Sequence, residues 1–279
     1  NLRILADNIW DYSRDDIPEA WRLIGEDPRD DVRAPQFAQL VRAFMPDVLD
    51  LQEYSLHMHQ RFYPLIRRYG YRIAYEGEEP WNNTPIFYNP ETVELVDVNY
   101  VLYAPSCWSN IGSKSYTSAV FRKKDTGRLF AVVNTHLWWK SEAAQPGSTY
   151  ARAAQVRLMM AEAEVLKNKY GCTIFVTGDM NAYEDSLPIR QFIEGGYTPC
   201  YKAATDATDN GNGHHICGPK DGYSRTSRRR SPDREKGAID HCFIYNAQEG
   251  VAVKVFDCIT ARFTVKLTDH YPYLIDAAL

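Results

Sequence analysis

Short runs of β-branched and aromatic residues recur along this chain, separated by a few amphipathic stretches of helix length, and many of the runs end on a polar side chain. The alternation restricts the fold to a mixed α/β class, since apolar runs of this length build strands and apolar residues at i, i+3, i+4 and i+7 build helices. The most telling run is Cys172-Thr173-Ile174-Phe175-Val176-Thr177, which reads as a buried strand. It stops abruptly at Gly178-Asp179-Met180-Asn181. Asp179 and Asn181 stand two positions apart, where an extended backbone turns both side chains to one side. An acid that takes a proton beside an amide that holds a water or an oxyanion is half of a hydrolytic site. The same residue types also make ordinary turns, so the other run ends must decide.

Residues 1–7 read as a strand that ends at Asn8-Ile9-Trp10, followed by a polar, acidic loop to Asp31. Phe37, Leu40, Val41 and Phe44 mark an amphipathic helix that Pro46 stops. Residues 47–51 form a short strand delivering Gln52-Glu53; a helix over 62–69 ends at Gly70, and a strand over 71–75 follows. Further strands are expected at 86–88, 93–96, 116–122 and 129–134, the last delivering Thr135-His136. Val156, Met159, Met160, Ala163 and Leu166 give the clearest helix, closed by Lys167, Lys169 and Gly171. A short helix over 187–194 precedes a polar, aperiodic loop over 203–237, long enough to suggest a functional or mobile segment. Strands return at 238–245, 251–257 and 271–275, the last preceded by Thr268-Asp269-His270.

The 279 residues suit one large domain or two small ones; a single domain over 1–279 and a monomer are expected. A net charge of −4 gives no general attraction to nucleic acid or anionic membranes, and no apolar run approaches the ~20 residues of a membrane span. The chain opens directly into a strand, which suggests a leader removed from a secreted or periplasmic protein. None of the six cysteines forms a CxxC pair; Cys172 and Cys242 fall in apolar strands as buried thiols, and Cys200 and Cys217 are disulfide candidates. His214-His215-Ile216-Cys217 lacks a fourth ligand at zinc spacing.

Asn8, Glu53, His136, Asp179 with Asn181, and Asp269 with His270 all stand where strands end. Asp240 lies inside an apolar strand and needs a partner, since burying a lone charge costs several kcal/mol. So oxygen-rich a set suits a hard cation such as Mg²⁺. Asn8, Gln52-Glu53, Asn134-Thr135-His136, Gly178-Asp179-Met180-Asn181, Ile239-Asp240-His241 and Thr268-Asp269-His270-Tyr271-Pro272, in that order, resemble the motif set of the endonuclease/exonuclease/phosphatase superfamily, from residue 2 to about 276. The resemblance implies a four-layer α/β sandwich, two packed mixed β-sheets flanked by helices as in DNase I, and Mg²⁺- or Mn²⁺-dependent hydrolysis of a phosphate ester. It makes Glu53 the main metal ligand, with Asn8 and Asp269 close to the ion. It has Asp179 activate water, Asn181 help hold the phosphate, and His136 and an Asp240-paired His270 donate to phosphoryl oxygens.

Two departures stand out. Many AP endonucleases carry an acid where Trp10 stands, and many relatives brace the middle histidine with a Glu where Asn82 stands. An amide oxygen there can accept from His136 but brings no charge. Beside the site, Trp138-Trp139-Lys140 offers a rim that could stack a base or sugar, and Arg152 could reach site carboxylates or phosphate. Arg225 and Arg228-Arg229-Arg230 form a basic run in the long loop. The sequence therefore favours a phosphodiesterase, with a phosphomonoesterase of inositol- or sugar-phosphate type or an endonuclease as alternatives. A binding module on a dead scaffold would require losing acids and histidines that are all present.

Overall fold

A computed structural model of the chain describes residues 1–279 except 13, 18, 20, 21, 23, 24, 78–80, 104–113, 208–237 and 260–262. Two β-sheets lie face to face. The first runs in the order β10 (Asp206–Ala207), β12 (Ala252–Cys258), β13 (Tyr273–Ala278), β1 (Leu2–Asn8), β2 (Val48–Gln52), β4 (Ile86–Tyr88), β3 (Arg72–Ile73). The second runs β5 (Val93–Leu102), β6 (Ser115–Lys123), β7 (Leu129–His136), β8 (Thr173–Asp179), β11 (Asp240–Tyr245), β9 (Thr198–Pro199). Helices α1 (Asp30–Phe44) and α2 (Leu56–Arg67) cover the first sheet, and α3 (Ser148–Tyr170) and α4 (Leu187–Glu194) cover the second. The result is the four-layer α/β sandwich expected.

Strand alternation builds the three apolar layers. Along β1, Leu2, Ile4 and Ala6 face the other sheet, where Phe121, Phe130, Val132 and Phe175 meet them, while Leu5 packs outward against Phe37 and Val41 of α1. On the second sheet Val133, Val176 and Phe243 face outward onto Val156, Met159 and Phe192 of α3 and α4. Cys172 and Cys242 are buried free thiols as expected; Cys200 is also buried and free, its sulfur 3.1 Å from that of Cys242. Cys217, the His214-His215 pair and the Arg225–Arg230 run lie outside the described residues.

Element boundaries moved where local chemistry outweighed periodicity. α2 begins at Leu56, earlier than its apolar spacing indicates, because the Ser55 side chain caps it by accepting from the Met58 N–H at 3.0 Å. β5 runs on to Leu102 as a half-exposed edge strand whose register shifts between Leu95 and Asp97, a bulge that masks its alternation. Within the stretch expected as loop from 203, residues 206–207 pair with β12.

Strand register sets the site. β7 and β8 run parallel with His136 beside Asp179, β11 runs antiparallel with Asp240 on the other side of Asp179, and Asn8 pairs with Gln52 in the opposite sheet. Gly178 makes that close approach feasible. Its φ is +142°, and a Cβ there would sit 2.0 Å from the Thr135 carbonyl oxygen, so any other residue would force β7 and β8 apart just where His136 and Asp179 meet.

Polar groups bridge the sheets beneath the site. Gln52 Nε2 donates to Asn134 Oδ1 at 2.8 Å, and Asn134 Nδ2 donates to the Leu51 and Pro85 carbonyls. Asp50, fully buried, accepts from Thr177 Oγ1 at 2.7 Å, and burial pushes its carboxyl up to about 7. The folded chain keeps this proton up to about pH 7, whereas an unfolded Asp releases it near pH 4. The contribution of Asp50 to stability is therefore full below pH 4 and falls as pH rises to 7, by on the order of 4 kcal/mol. Asp50→Asn should match wild type near pH 4 and melt higher at pH 7 to 8. Thermal unfolding across that range checks this; an unchanged gap between the two curves would contradict it.

Candidate active site

Six chain segments meet where the two sheets end. Asn8 closes β1; Glu53 follows β2; His136 and Asp179 close β7 and β8; Asp240 opens β11; and His270 precedes β13. Asn8 Nδ2 donates to Glu53 Oε1 at 3.1 Å and to Asp179 Oδ2 at 2.9 Å. The Asp11 N–H donates to Glu53 Oε2 at 2.9 Å, and the Asn181 N–H to Asp179 Oδ1 at 2.9 Å. His270 Nδ1 lies 2.7 Å from Asp240 Oδ2, which turns its Nε2 toward Asp179 Oδ2 at 3.7 Å and Asp269 Oδ1 at 3.8 Å. His136 Nε2 stands 3.5 Å from Asp179 Oδ2 and 3.9 Å from Glu53 Oε1. Glu53, Trp10 and Asn181 all take positive φ (56°, 55° and 48°), a conformation non-glycine residues adopt only when their surroundings hold them there.

Charge balance follows from this packing. Burial alone would raise Asp179, but His270, His136, the Asn181 N–H and Lys114 outweigh it and hold the carboxylate at about 2. Burial likewise acts upward on Glu53, and His136, Lys114, the Asp11 N–H and the Asn8 amide bring it down to about 2. For His270 burial acts downward, yet the charge and hydrogen bond of Asp240, with Asp179 and Asp269 behind them, lift it well above the ordinary histidine range. His136 goes the other way: burial and the Lys114 charge push it down to about 4. The site thus holds two ionised carboxylates, an imidazolium and a neutral imidazole.

Two groupings of oxygen and nitrogen donors are close enough to share an ion, Glu53 with His136 and Asp179, and Asp179 with Asp240 and His270. The donor set fits a hard divalent cation: the carboxylates are ionised, and Glu53 keeps 29% of its side chain open at the mouth. Asn8 lies against both carboxylates. Its amide nitrogen faces both carboxylates while its Oδ1 accepts from the Trp10 N–H at 3.0 Å, so it braces Glu53 and Asp179 without offering them an oxygen. Asp269 is buried beside His270 and belongs to neither donor grouping.

The side features sort differently from their sequence reading. Trp138 is not a rim residue; it is 2% exposed, and its Nε1 donates to Ser148 Oγ at 3.1 Å. Trp139 is 55% exposed. Arg152 does not reach the carboxylates, because its guanidinium donates to the Trp138 and Lys140 carbonyls at 3.1 and 2.7 Å and pins that loop to α3. Asn181 Nδ2 donates to the Leu137 carbonyl at 3.2 Å. Asn82 does not brace His136; its Oδ1 accepts from the Thr84 N–H and its Nδ2 donates to Thr117 Oγ1 and the Tyr75 carbonyl.

Two residues escaped the sequence reading. Lys114 is buried with its Nζ at 3.0 and 2.9 Å from the His136 ring nitrogens. Fully buried Arg33 donates to the Pro28, Ile9, Trp10 and Leu267 carbonyls and to Asp30 Oδ1, tying the segment after Asn8 to the one before Asp269. Arg33 stands four residues before Phe37 on the apolar face of α1, a position that could have flagged it. Lys114 heads an apolar strand but carries no periodic signal of its own.

Comparison with known proteins gives the class. Residues 22–270 match the model of the Endonuclease/Exonuclease/phosphatase family, and the chain belongs to that family. Its members are phosphoester hydrolases and generally use a divalent metal. A search of curated proteins finds no match. Among solved structures the chain is similar to the mannosyl-6-phosphatase Bt3783 of Bacteroides thetaiotaomicron VPI-5482 (18% identity, all of both chains, TM-score 0.74). It is also similar to an endonuclease/exonuclease/phosphatase from Bacteroides vulgatus (20%, all of this chain and 98% of that one, 0.73) and to the human Nocturnin catalytic domain (19%, 99% and 94%, 0.69). At these identities the likeness speaks to the fold.

Proposed function

We propose that the protein is a divalent-cation-dependent hydrolase of phosphate esters. The carrying observation is that Asp179 joins two donor groupings, one with Glu53 and His136 and one with His270 and its partner Asp240, and that both Asp179 and Glu53 are held ionised. Glu53 is the principal anchor for Mg²⁺ or Mn²⁺, with Asp179 and Asp269 nearby and Asn8 fixing the Glu53 carboxylate. A cation bound there supplies Lewis-acid stabilisation of the charge that develops on phosphoryl and leaving oxygens. Asp179 orients a water and takes its proton as the water oxygen bonds to phosphorus. His270 donates through Nε2 to a phosphoryl oxygen, its charge and ring orientation maintained by Asp240 on Nδ1. Asn181 holds the chain beyond Asp179 in the strained turn that aims that carboxylate.

Within this class the sequence favours diesters, and a small or lipid-like ester is preferred to duplex DNA. Duplex binding needs a basic face, and here Asp and Glu number 36 against 32 Lys and Arg. Trp139, exposed after His136, gives flat apolar surface for a sugar, base or acyl group. The test is turnover with Mg²⁺ on bis-p-nitrophenyl phosphate, p-nitrophenyl phosphate, sphingomyelin and plasmid DNA. Turnover on a small or lipid ester above plasmid nicking at ~150 mM salt is expected. Plasmid nicking above all the others would overturn the substrate reading, and no turnover on any would overturn the activity.

A further inference from the structure

Lys114 contrasts with the other buried lysine of the second sheet. Lys123 Nζ meets Asp47 Oδ1 at 3.1 Å, the usual way a protein accommodates a buried ammonium. Lys114 is equally buried, at 6% exposure, yet among the described residues no carboxylate lies within ion-pairing distance of it. Its Nζ contacts the His136 ring instead. At near-equal distances from both ring nitrogens the ammonium lies against the ring, and two cations in such contact would repel, which favours a neutral imidazole. A neutral His136 brings no positive charge to a phosphoryl group. The cation on this flank of the site is the ammonium itself, attracted by the charges of Glu53, Asp179 and Asp11 but with no direct ion pair among the described residues.

The geometry points to Lys114 as a catalytic residue that contacts a phosphoryl oxygen of the substrate and biases the site toward phosphate monoesters. This rests on the ester-hydrolase reading above. Near neutral pH a monoester carries close to two negative charges and a diester one, and the monoester has a third unsubstituted oxygen for the ammonium to meet. In the hydrolysis, the oxygen of water bonds to phosphorus and its proton passes to Asp179. The ester oxygen leaves with the P–O bonding pair and is protonated by solvent, giving an alcohol and inorganic phosphate. Lys114 keeps its proton throughout, donating it as a hydrogen bond. Here Lys114 shifts the balance from the diester that the sequence favoured.

The test compares wild type, Lys114→Met and Lys114→Arg with Mg²⁺ on p-nitrophenyl phosphate and bis-p-nitrophenyl phosphate, alongside calorimetric binding of inorganic phosphate. Lys114→Met should lose about 10²-fold in kcat/KM on the monoester, the scale of one lost electrostatic donor, and tenfold or less on the diester. Its phosphate affinity should fall at least about tenfold, and Lys114→Arg should recover part of both losses. Equal losses on the two esters with phosphate affinity unchanged would overturn the proposal. If wild type turns over neither ester, the hydrolase reading fails, and the phosphate arm still decides Lys114: equal binding by wild type and Lys114→Met refutes it.

Discussion

Asp179→Asn should leave at most about one part in 10³ of wild-type turnover while the chain remains folded. The amide has nearly the same shape and can keep the bond from the Asn181 N–H at 2.9 Å, so packing between β7 and β11 is undisturbed. What is lost is a carboxylate held ionised beside His270 and His136, the group that orients the attacking water and receives its proton as the bond to phosphorus forms. His270→Ala should be comparably severe, because it removes the imidazolium that Asp240 maintains beside Asp179. The two losses should not multiply. Both groups serve one transition state, so the double variant should be little worse than the worse single one. Single-turnover rates of the three variants, with far-ultraviolet circular dichroism for fold, make the check; independent, multiplying losses would mean that the residues do not act together.

Glu53→Ala is the second severe change, with a loss of at least about 10²-fold. Glu53 sits in a left-handed backbone conformation that only a dense set of contacts maintains, and Asn8 Nδ2 and the Asp11 N–H both close on its carboxylate. Removing it takes away the most open ionised oxygen donor of the cluster and one of the two carboxylates that Asn8 Nδ2 bridges. The metal concentration giving half-maximal rate should rise along with the fall in turnover. Calorimetric titration of Mn²⁺ into wild type and Glu53→Ala measures this directly, and equal affinities would remove Glu53 from the metal site.

Much of this could be read from residues because each site group stands at the end of a strand whose apolar alternation is strong. Val48 to Gln52 and Thr173 to Asp179 show this plainly, and once the strands are placed the register brings Asp179 between His136 and Asp240. What could not be read depends on the direction in which a side chain points. Trp138 and Trp139 are neighbours with opposite fates, one turned into the core to bond Ser148 and the other left in solvent. Asn8 ends β1 as its sequence indicates, but which amide atom faces the carboxylates depends on the Trp10 N–H, which only the strained turn after β1 brings within reach. Asn82 and Lys114 exchange their expected importance for a similar reason. The amide is consumed by Thr84 and Thr117, and a lysine just before β6 reaches His136 because Ser115, its neighbour, is in register with His136 of β7, a long-range relation that local pattern does not encode.

The decisive measurement is metal add-back on a turned-over ester. After exhaustive chelation, the wild-type protein should show no turnover in excess EDTA and regain it fully when Mg²⁺ or Mn²⁺ is restored, while Asp179→Asn should stay inactive under both conditions. Full wild-type turnover in excess EDTA, or metal-restored turnover in Asp179→Asn equal to wild type, would contradict the assignment of a cation-dependent site built on Glu53, Asp179 and His270.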